Sequence, residues 1–480
     1  MIVMKFGGTS VKDRAAIERL VEIVRDADAG TDSRKVVVVS ALAGVTDQLL
    51  EIAAAAGAGD IDKARGAVRT LRLRHLSVAR VITDTALLAS ITADIVREFD
   101  ELDRVVTALA VLGEVSPRWF DTIAAAGELI SSRMVATALT AYGQSATWVD
   151  ARRVIVTNDD YMAALPLGEP TDAALRSAIM PLLADGRIPV IGGFVGATAK
   201  GVTTTLGRGG SDFTGAIVGA AIGADEIQIW TDVDGMLTAD PRVVDAPHVA
   251  SHLSFSEASE LAYFGAKVLH PATIQPAVAR DIPVRILNSQ RPSATGTLIT
   301  ALRPDIGRTI TAIASKVGVT VVNITSTRML MTHGFLRRLF DVFERHKTPV
   351  DVVTTSEVSV SVTIDDVRRL PAIVTDLSEF ADVSSESDLA LICAVGDGLA
   401  ADPAIASRLL SAIDGIALKM VSQAASRSNV TIVVSAADLP AALNRLHDRF
   451  FPSKVVGDGL QPVALSGGLE PAGYVRGEEA

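Results

Sequence analysis

Between residues 203 and 214 the chain reads TTTLGRGGSDFT. Glycines let the backbone turn tightly and present its N–H groups, and here they bracket one cation, Arg208, one hydroxyl, Ser211, and one carboxylate, Asp212. The small apolar run at 215–223 then reads as a packed helix, so the stretch resembles a loop feeding a helix N-terminus, a site for an anion such as phosphate. A tight glycine turn joining two elements is the plainer reading of the same residues. Lys5 precedes a second glycine pair, Gly7 and Gly8, and Glu128 stands alone in the Ala-rich run TIAAAGELI, where a carboxylate is costly unless paired or used. Cations beside glycine N–H donors suit a transferring phosphoryl group, whose charge must be stabilised without covalent chemistry. The chain has no G-x-x-x-x-G-K-[ST], no protein-kinase signature, no G-x-S-x-G, no dinucleotide fingerprint and no zinc-type spacing.

These residues need a scaffold that gathers them. Apolar strands are predicted at 2–6, 36–40, 188–195, 226–231 and 284–287, each running into a small or polar turn. Helices are predicted at 12–28, over most of 60–115, and at 120–141 and 255–263. In a parallel α/β sheet the turns after the strands collect at one edge, which here would hold Lys5, Arg208, Asp212, Glu128 and Lys267. Residues 288–304 read as a polar connection. From 309 the grammar changes to β-branched strands separated by short helices, and the pattern β-α-β-β-α-β is written about twice before the Gly/Pro-rich end, which is expected to be disordered.

Composition narrows the class. Apolar residues make up 49% of 480 and aromatics only 4%, so the core must be aliphatic, as buried parallel sheets require. A net charge of −11 with no basic run argues against a nucleic-acid partner. The chain opens on a strand-like MIVMKFGG rather than a leader, and no run is long enough to span a membrane, so a soluble, cytoplasmic protein is expected. The single cysteine, Cys393, reads as a buried strand residue, and His75 as a solvated or capping histidine.

The segments KFGGTSV at 5–11, TTTLGRGGSDFT at 203–214, WTDVDG at 230–235, TADPR at 238–242, FGAKVLHP at 264–271 and TTSEVS at 354–359 resemble the aspartate kinases, in the order that family has them. The arrangement looks like the monofunctional, lysine-sensitive type. The resemblance implies an α/β amino acid kinase fold over 1–300, mostly parallel with helices on both faces. Two ferredoxin-like ACT modules at 309–388 and 389–455, interleaved with one another, and a tail at 456–480 would follow. It implies transfer of the ATP γ-phosphate to L-aspartate, giving 4-phospho-L-aspartate and ADP, with Mg²⁺ carried on the nucleotide and no metal held by protein side chains.

Roles follow from the same likeness. Lys5 would neutralise the reacting groups and Asp212 would orient it, a carboxylate nucleophile having no proton to lose. Arg208 would clamp the substrate α-carboxylate, Glu128 its ammonium, and Thr46 and Ser211 would hydrogen-bond it. Lys5, Phe6, Gly7, Gly8, Thr231, Asp232, Leu237, Arg242 and Lys267 would hold the nucleotide, Leu237 standing where some members carry tyrosine; Asp232 also reads as a turn former. An inhibitory amino acid, lysine or threonine, would bind Met329, Thr332, Gly334, Phe335, Leu336, Val350, Asp351, Ser356 and Glu357. A homodimer or a dimer of dimers is implied, with no nucleic-acid or membrane partner. The competing readings are another amino acid kinase acting on a different acid, and a catalytically silent amino-acid sensor.

Overall fold

The computed structural model describes residues 1–27, 34–264, 269–302, 309–327, 329, 333–423, 428–452 and 460–462. An eight-stranded sheet organises the first part of the chain, in the order His252–Ser254, Thr297–Thr300, Val284–Asn288, Glu226–Thr231, Ile2–Phe6, Lys35–Val39, Ile188–Gly192, Ala146–Val149. All its pairings are parallel except that between Val284–Asn288 and Thr297–Thr300. Alternate residues of a strand face opposite sides, and here both sides are apolar. Val3, Val36, Val38, Ile227 and Ile229 pack towards the helices Gly168–Ala184 and Gly210–Ile222. Met4, Phe6, Val37, Val39 and Trp230 pack towards Arg14–Asp26 and Val45–Gly57. Such two-sided burial, worth about 1.5–3 kcal/mol for each large aliphatic side chain, explains why the strands read as unbroken apolar runs.

Register aligns the ends of the strands. Phe6 lies beside both Val39 and Trp230, Val39 beside Gly192, and Trp230 beside Leu287. The turns after these residues therefore share one edge, as the sequence predicts. Some expectations need correction. The apolar run 188–195 is two strands, because the chain leaves the main sheet after Gly192 and Val195–Thr198 joins a separate three-stranded sheet with Val156–Thr157 and Thr203–Thr205. The Gly207–Asp212 loop thus follows a side hairpin, not a strand of the main sheet. The 288–304 connection contains the strand Thr297–Thr300. His75 is fully buried, its ring against Phe99 and its Nδ1 bonded to the Leu71 carbonyl, and burial holds it neutral with a pKa of about 4.

The second part is a six-stranded antiparallel sheet in the order Val353–Thr355, Ser359–Ile364, Ala312–Thr325, Asp382–Val395, Asn429–Ser435, Leu418–Ser422. The two repeated units share its long central strands. One half of Ala312–Thr325 pairs with Ser359–Ile364, while Asp382–Val395 runs beside most of its length and then pairs with Asn429–Ser435. Ala312–Thr325 is a single long strand, irregular around Gly318. Helices Phe335–Arg345 and Leu370–Ser378 cover one half, Ile405–Ala412 and Leu439–Phe450 the other.

The two parts are joined by buried polar contacts. The Oε1 atom of Glu257, a fully buried side chain, accepts from the Thr311 hydroxyl at 2.6 Å and the Asp397 N–H at 2.8 Å. Thr238 Oγ1 meets His447 Nε2 at 2.9 Å. Within the end segment expected to be disordered, Leu460–Pro462 is paired with His248–Ala250. Among the described residues no helix is long and apolar enough to cross a membrane.

Candidate active site

A cavity of about 630 Å³ opens at the strand-end edge, and it gathers Lys5, Gly8, Thr46, Glu128, Arg208, Ser211 and Asp212. Each arrives by a local rule. Lys5 lies two residues beyond Val3 and so points to the same side of the sheet, against the helix Gly210–Ile222, where a side chain at Gly215 would touch its Cβ. Asp212 sits in the first turn of that helix, a position that favours a negative charge. The two meet as an ion pair with Nζ–Oδ1 2.5 Å, their side chains only 9% and 16% exposed. Gly207 and Gly209, both left-handed with φ of 73° and 70°, turn the chain on either side of Arg208 and leave that side chain exposed at the cavity rim.

Glu128 comes from the helix Pro117–Ala141, which packs tightly on the loop before Val45–Gly57: a Cβ at Gly127 would lie 2.9 Å from that of Ala41. The carboxylate is buried, and its Oε2 has no hydrogen-bond partner. Burial pushes its pKa up to about 8, against opposing contributions from the Ala41 backbone, the Thr46 hydroxyl and the charge of Lys5. A buried acid with an unused oxygen beside an open cavity is built to receive a cationic donor.

The residues expected at the nucleotide divide differently. Gly8 lines the cavity, but the Gly7 N–H donates to the Trp230 carbonyl at 2.9 Å, so the cradle expected of both glycines narrows to Gly8. The Phe6 side chain is buried in the core, stacked on Trp230, and only its backbone can serve a ligand. Thr231 ends its strand at the same edge and its hydroxyl meets Asp232 at 3.2 Å. Leu237 bridges to Val249, and the Arg242 guanidinium forks onto Asp240. None of these four lines the cavity. Lys267 lies outside the described residues.

Comparison with known proteins identifies the arrangement. Residues 1–288 match the family model described as amino acid kinase family, and 392–450 match an ACT domain. The lysine-sensitive aspartokinase 3 of Escherichia coli (strain K12) is 35% identical over 470 residues, covering 94% of this chain and 99% of that protein. The chain belongs to the aspartokinase family. Solved structures agree. Aspartokinase III of E. coli in complex with aspartate and ADP (R-state) superposes with a TM-score of 0.78 at 33% identity, over 94% of this chain and 100% of that one. The same enzyme in complex with lysine and aspartate (T-state) gives 0.78 and 33%, over 94% and 99%.

The residues expected to bind an effector are spread along one edge of the second sheet. Gly334, with φ 83°, caps the helix Phe335–Arg345, and Leu336 is exposed. Phe335 is a core residue, edge-on to Phe380, with Met329 and Val350 packed on the same cluster. The Ser326 N–H bonds the Val358 carbonyl, which brings the exposed turn of Ser356 and Glu357 beside the segment leading to Met329. Asp351 lies at the far end of the edge strand, opposite Thr363. Its carboxylate is already engaged, by Lys316 at 2.9 Å and by the Tyr263 hydroxyl at 2.8 Å. Asp351, expected to meet an effector amine, thus has two partners within its own chain. Thr332 lies outside the described residues.

Asp121 also lines the cavity and escaped the sequence reading. Asp121 stands seven residues before Glu128, two helical turns away and so on the same face. Two acids at that spacing flanking the small apolar run IAAAG were a legible signal.

Proposed function

We propose that the chain phosphorylates the β-carboxylate of L-aspartate with ATP and that lysine inhibits it through the second sheet. The observation that carries this reading is the convergence on one cavity of a Lys5–Asp212 pair, an exposed arginine fork and a buried carboxylate with an unused oxygen. Arg208 binds the α-carboxylate bidentately and Glu128 the ammonium, which leaves the β-carboxylate directed at Lys5. An oxygen of that carboxylate forms a bond to the γ-phosphorus as the bond to the ADP oxygen breaks. No proton is removed, so Asp212 fixes the Lys5 ammonium rather than acting as a base. Lys5 and the Gly8 backbone then face the charge spread over the phosphoryl oxygens. Thr231, which ends the strand Glu226–Thr231 at the same edge, and Asp232, Leu237, Arg242 and Lys267 serve the rest of the nucleotide. Asp212 is tied to Lys5 and Glu128 is buried, which fits a Mg²⁺ carried by the ATP phosphates rather than by protein ligands.

The decisive assay couples ADP release to aspartate, glutamate, acetylglutamate and UMP as acceptors, with lysine, threonine and both titrated into the aspartate reaction. Turnover with glutamate and none with aspartate would overturn the reading. Inhibition by lysine is expected; inhibition by threonine alone would reassign the effector. Val353–Thr355 is an end strand of its sheet with Val353 exposed, which supports pairing with a second copy as a homodimer, the effector residues being completed across that edge. An effector amine at Asp351 competes with the Tyr263 hydroxyl for Oδ1. Tyr263→Phe is therefore expected to lower the lysine concentration for half-inhibition by about 2- to 10-fold, the worth of one hydrogen bond. A shift to higher lysine would show instead that the Tyr263 bond holds Asp351 ready.

A further inference from the structure

We infer that Asp121 is a positioning residue for aspartate binding, holding the loop that carries Arg208 in its substrate-competent shape. The Asp121 carboxylate is 1% exposed and is used by two separate segments of the cavity wall, the turn at Met162 and the strand Thr203–Thr205. Both its oxygens lie 3.0 Å from the Met162 N–H, and its Oδ1 accepts from the Thr205 hydroxyl at 2.5 Å. Thr205 is the last residue of the strand that leads into Gly207 and Arg208. Met162 adopts a left-handed backbone, φ 71°, which a non-glycine side chain holds only when its surroundings fix it.

The two anchors are themselves coupled. The Ala164 N–H donates to the Thr205 carbonyl at 2.8 Å, and a side chain at Gly207 would meet the Met162 carbonyl oxygen at 3.4 Å. The Met162 turn and the Arg208 loop thus form one wall, pinned from the outside by Asp121. Asp121, Met162, Thr205, Gly207 and Arg208 all line the cavity. The helix that supplies Asp121 also supplies Glu128, so one rigid element sets the spacing between the grip on the substrate ammonium and the grip on its α-carboxylate. Burial raises the pKa of Asp121, whereas both bonds favour its ionised form, the state in which both oxygens accept.

This inference rests on Arg208 as the α-carboxylate clamp, and the test separates the two. Arg208→Ala alone reads the clamp: an unchanged KM for aspartate would sink that assignment, and with it a role for Asp121 through Arg208. Asp121→Asn presents an amide to two donors and is expected to raise KM for aspartate by about 10- to 100-fold, the range for hydrogen bonds to a charged group. Its kcat and its KM for ATP should stay within about twofold. Thr205→Val removes one anchor without removing the acid, and is expected to raise the same KM by about 2- to 10-fold; it keeps the test open should Asp121→Asn fold poorly. In the Arg208→Ala background, Asp121→Asn should add little. Adding Met162→Gly to Asp121→Asn should recover part of the lost affinity, because glycine adopts the left-handed turn without help. Full additivity with Arg208→Ala, or a joint rise of both KM values with a lowered melting temperature, would mark Asp121 as general scaffolding and overturn the inference.

Discussion

Lys5→Ala is expected to lower kcat by about 10²- to 10³-fold or more, the cost of removing a preorganised charge from a phosphoryl-transfer site. Lysine binding should persist, because the regulatory sheet neither contains nor touches Lys5 in the contacts described. The argument is positional. Lys5 is 7% exposed at the end of a central strand and locked to Asp212, so its ammonium is fixed before substrate arrives. Fixed charge stabilises a transition state more effectively than a mobile one, since no reorganisation is needed at the moment of reaction. The substitution also strands the Asp212 carboxylate, and breaking a buried pair by removing one partner costs about 3–5 kcal/mol. Lys5→Met with Asp212→Asn removes both charges and separates the effects. If inactivity followed only from misfolding, the double variant would recover turnover; it is expected to recover stability and stay inactive. Single-turnover phosphoryl transfer with calorimetric lysine titration reads both quantities. A Lys5→Ala enzyme retaining more than a tenth of wild-type kcat would remove Lys5 from the chemistry.

Much of this site was written locally. The Lys5-Phe-Gly-Gly turn, the glycines flanking Arg208 and the lone Glu128 on an alanine-rich helix each carry their own signal, because strand alternation, left-handed glycines and the cost of burying a charge act within a few residues. What stayed hidden depends on distant partners. Gly7 looks free in the sequence, and only the register of Ile2–Phe6 beside Glu226–Thr231 gives its N–H to Trp230. The partners of Asp351 cannot be read locally, since the second sheet brings Lys316 to it across 35 residues and the packing of the two parts brings Tyr263 across 88. The apolar run 188–195 cannot announce where it leaves one sheet for another, since both environments are dry. The doubled ferredoxin-like pattern was readable, but the sharing of Ala312–Thr325 and Asp382–Val395 between its halves is a tertiary fact.

Glu128 gives the second large effect, and its pH dependence is the sharper test. Its carboxyl is raised from an ordinary 4.5 to about 8, so between those values the folded protein holds a proton that the unfolded chain releases. The stability from this group is complete below about 4.5 and is lost as pH rises to about 8. Glu128→Gln keeps the neutral shape at every pH and should flatten that part of the melting-temperature profile. Binding has the opposite sense. The substrate ammonium requires the charged carboxylate, so aspartate must expel the Glu128 proton at neutral pH. Affinity for aspartate is therefore expected to tighten by up to about tenfold per pH unit on approaching pH 8 and then level off. Calorimetry at pH 7 in two buffers of different ionisation enthalpy should show close to one proton released per aspartate bound. In Glu128→Gln that release should vanish and the affinity should fall by about 10- to 100-fold, the loss of a charge-assisted bond in a dry site. Proton release that survives the substitution would place the titrating group elsewhere and leave the unused Oε2 of Glu128 without its ammonium.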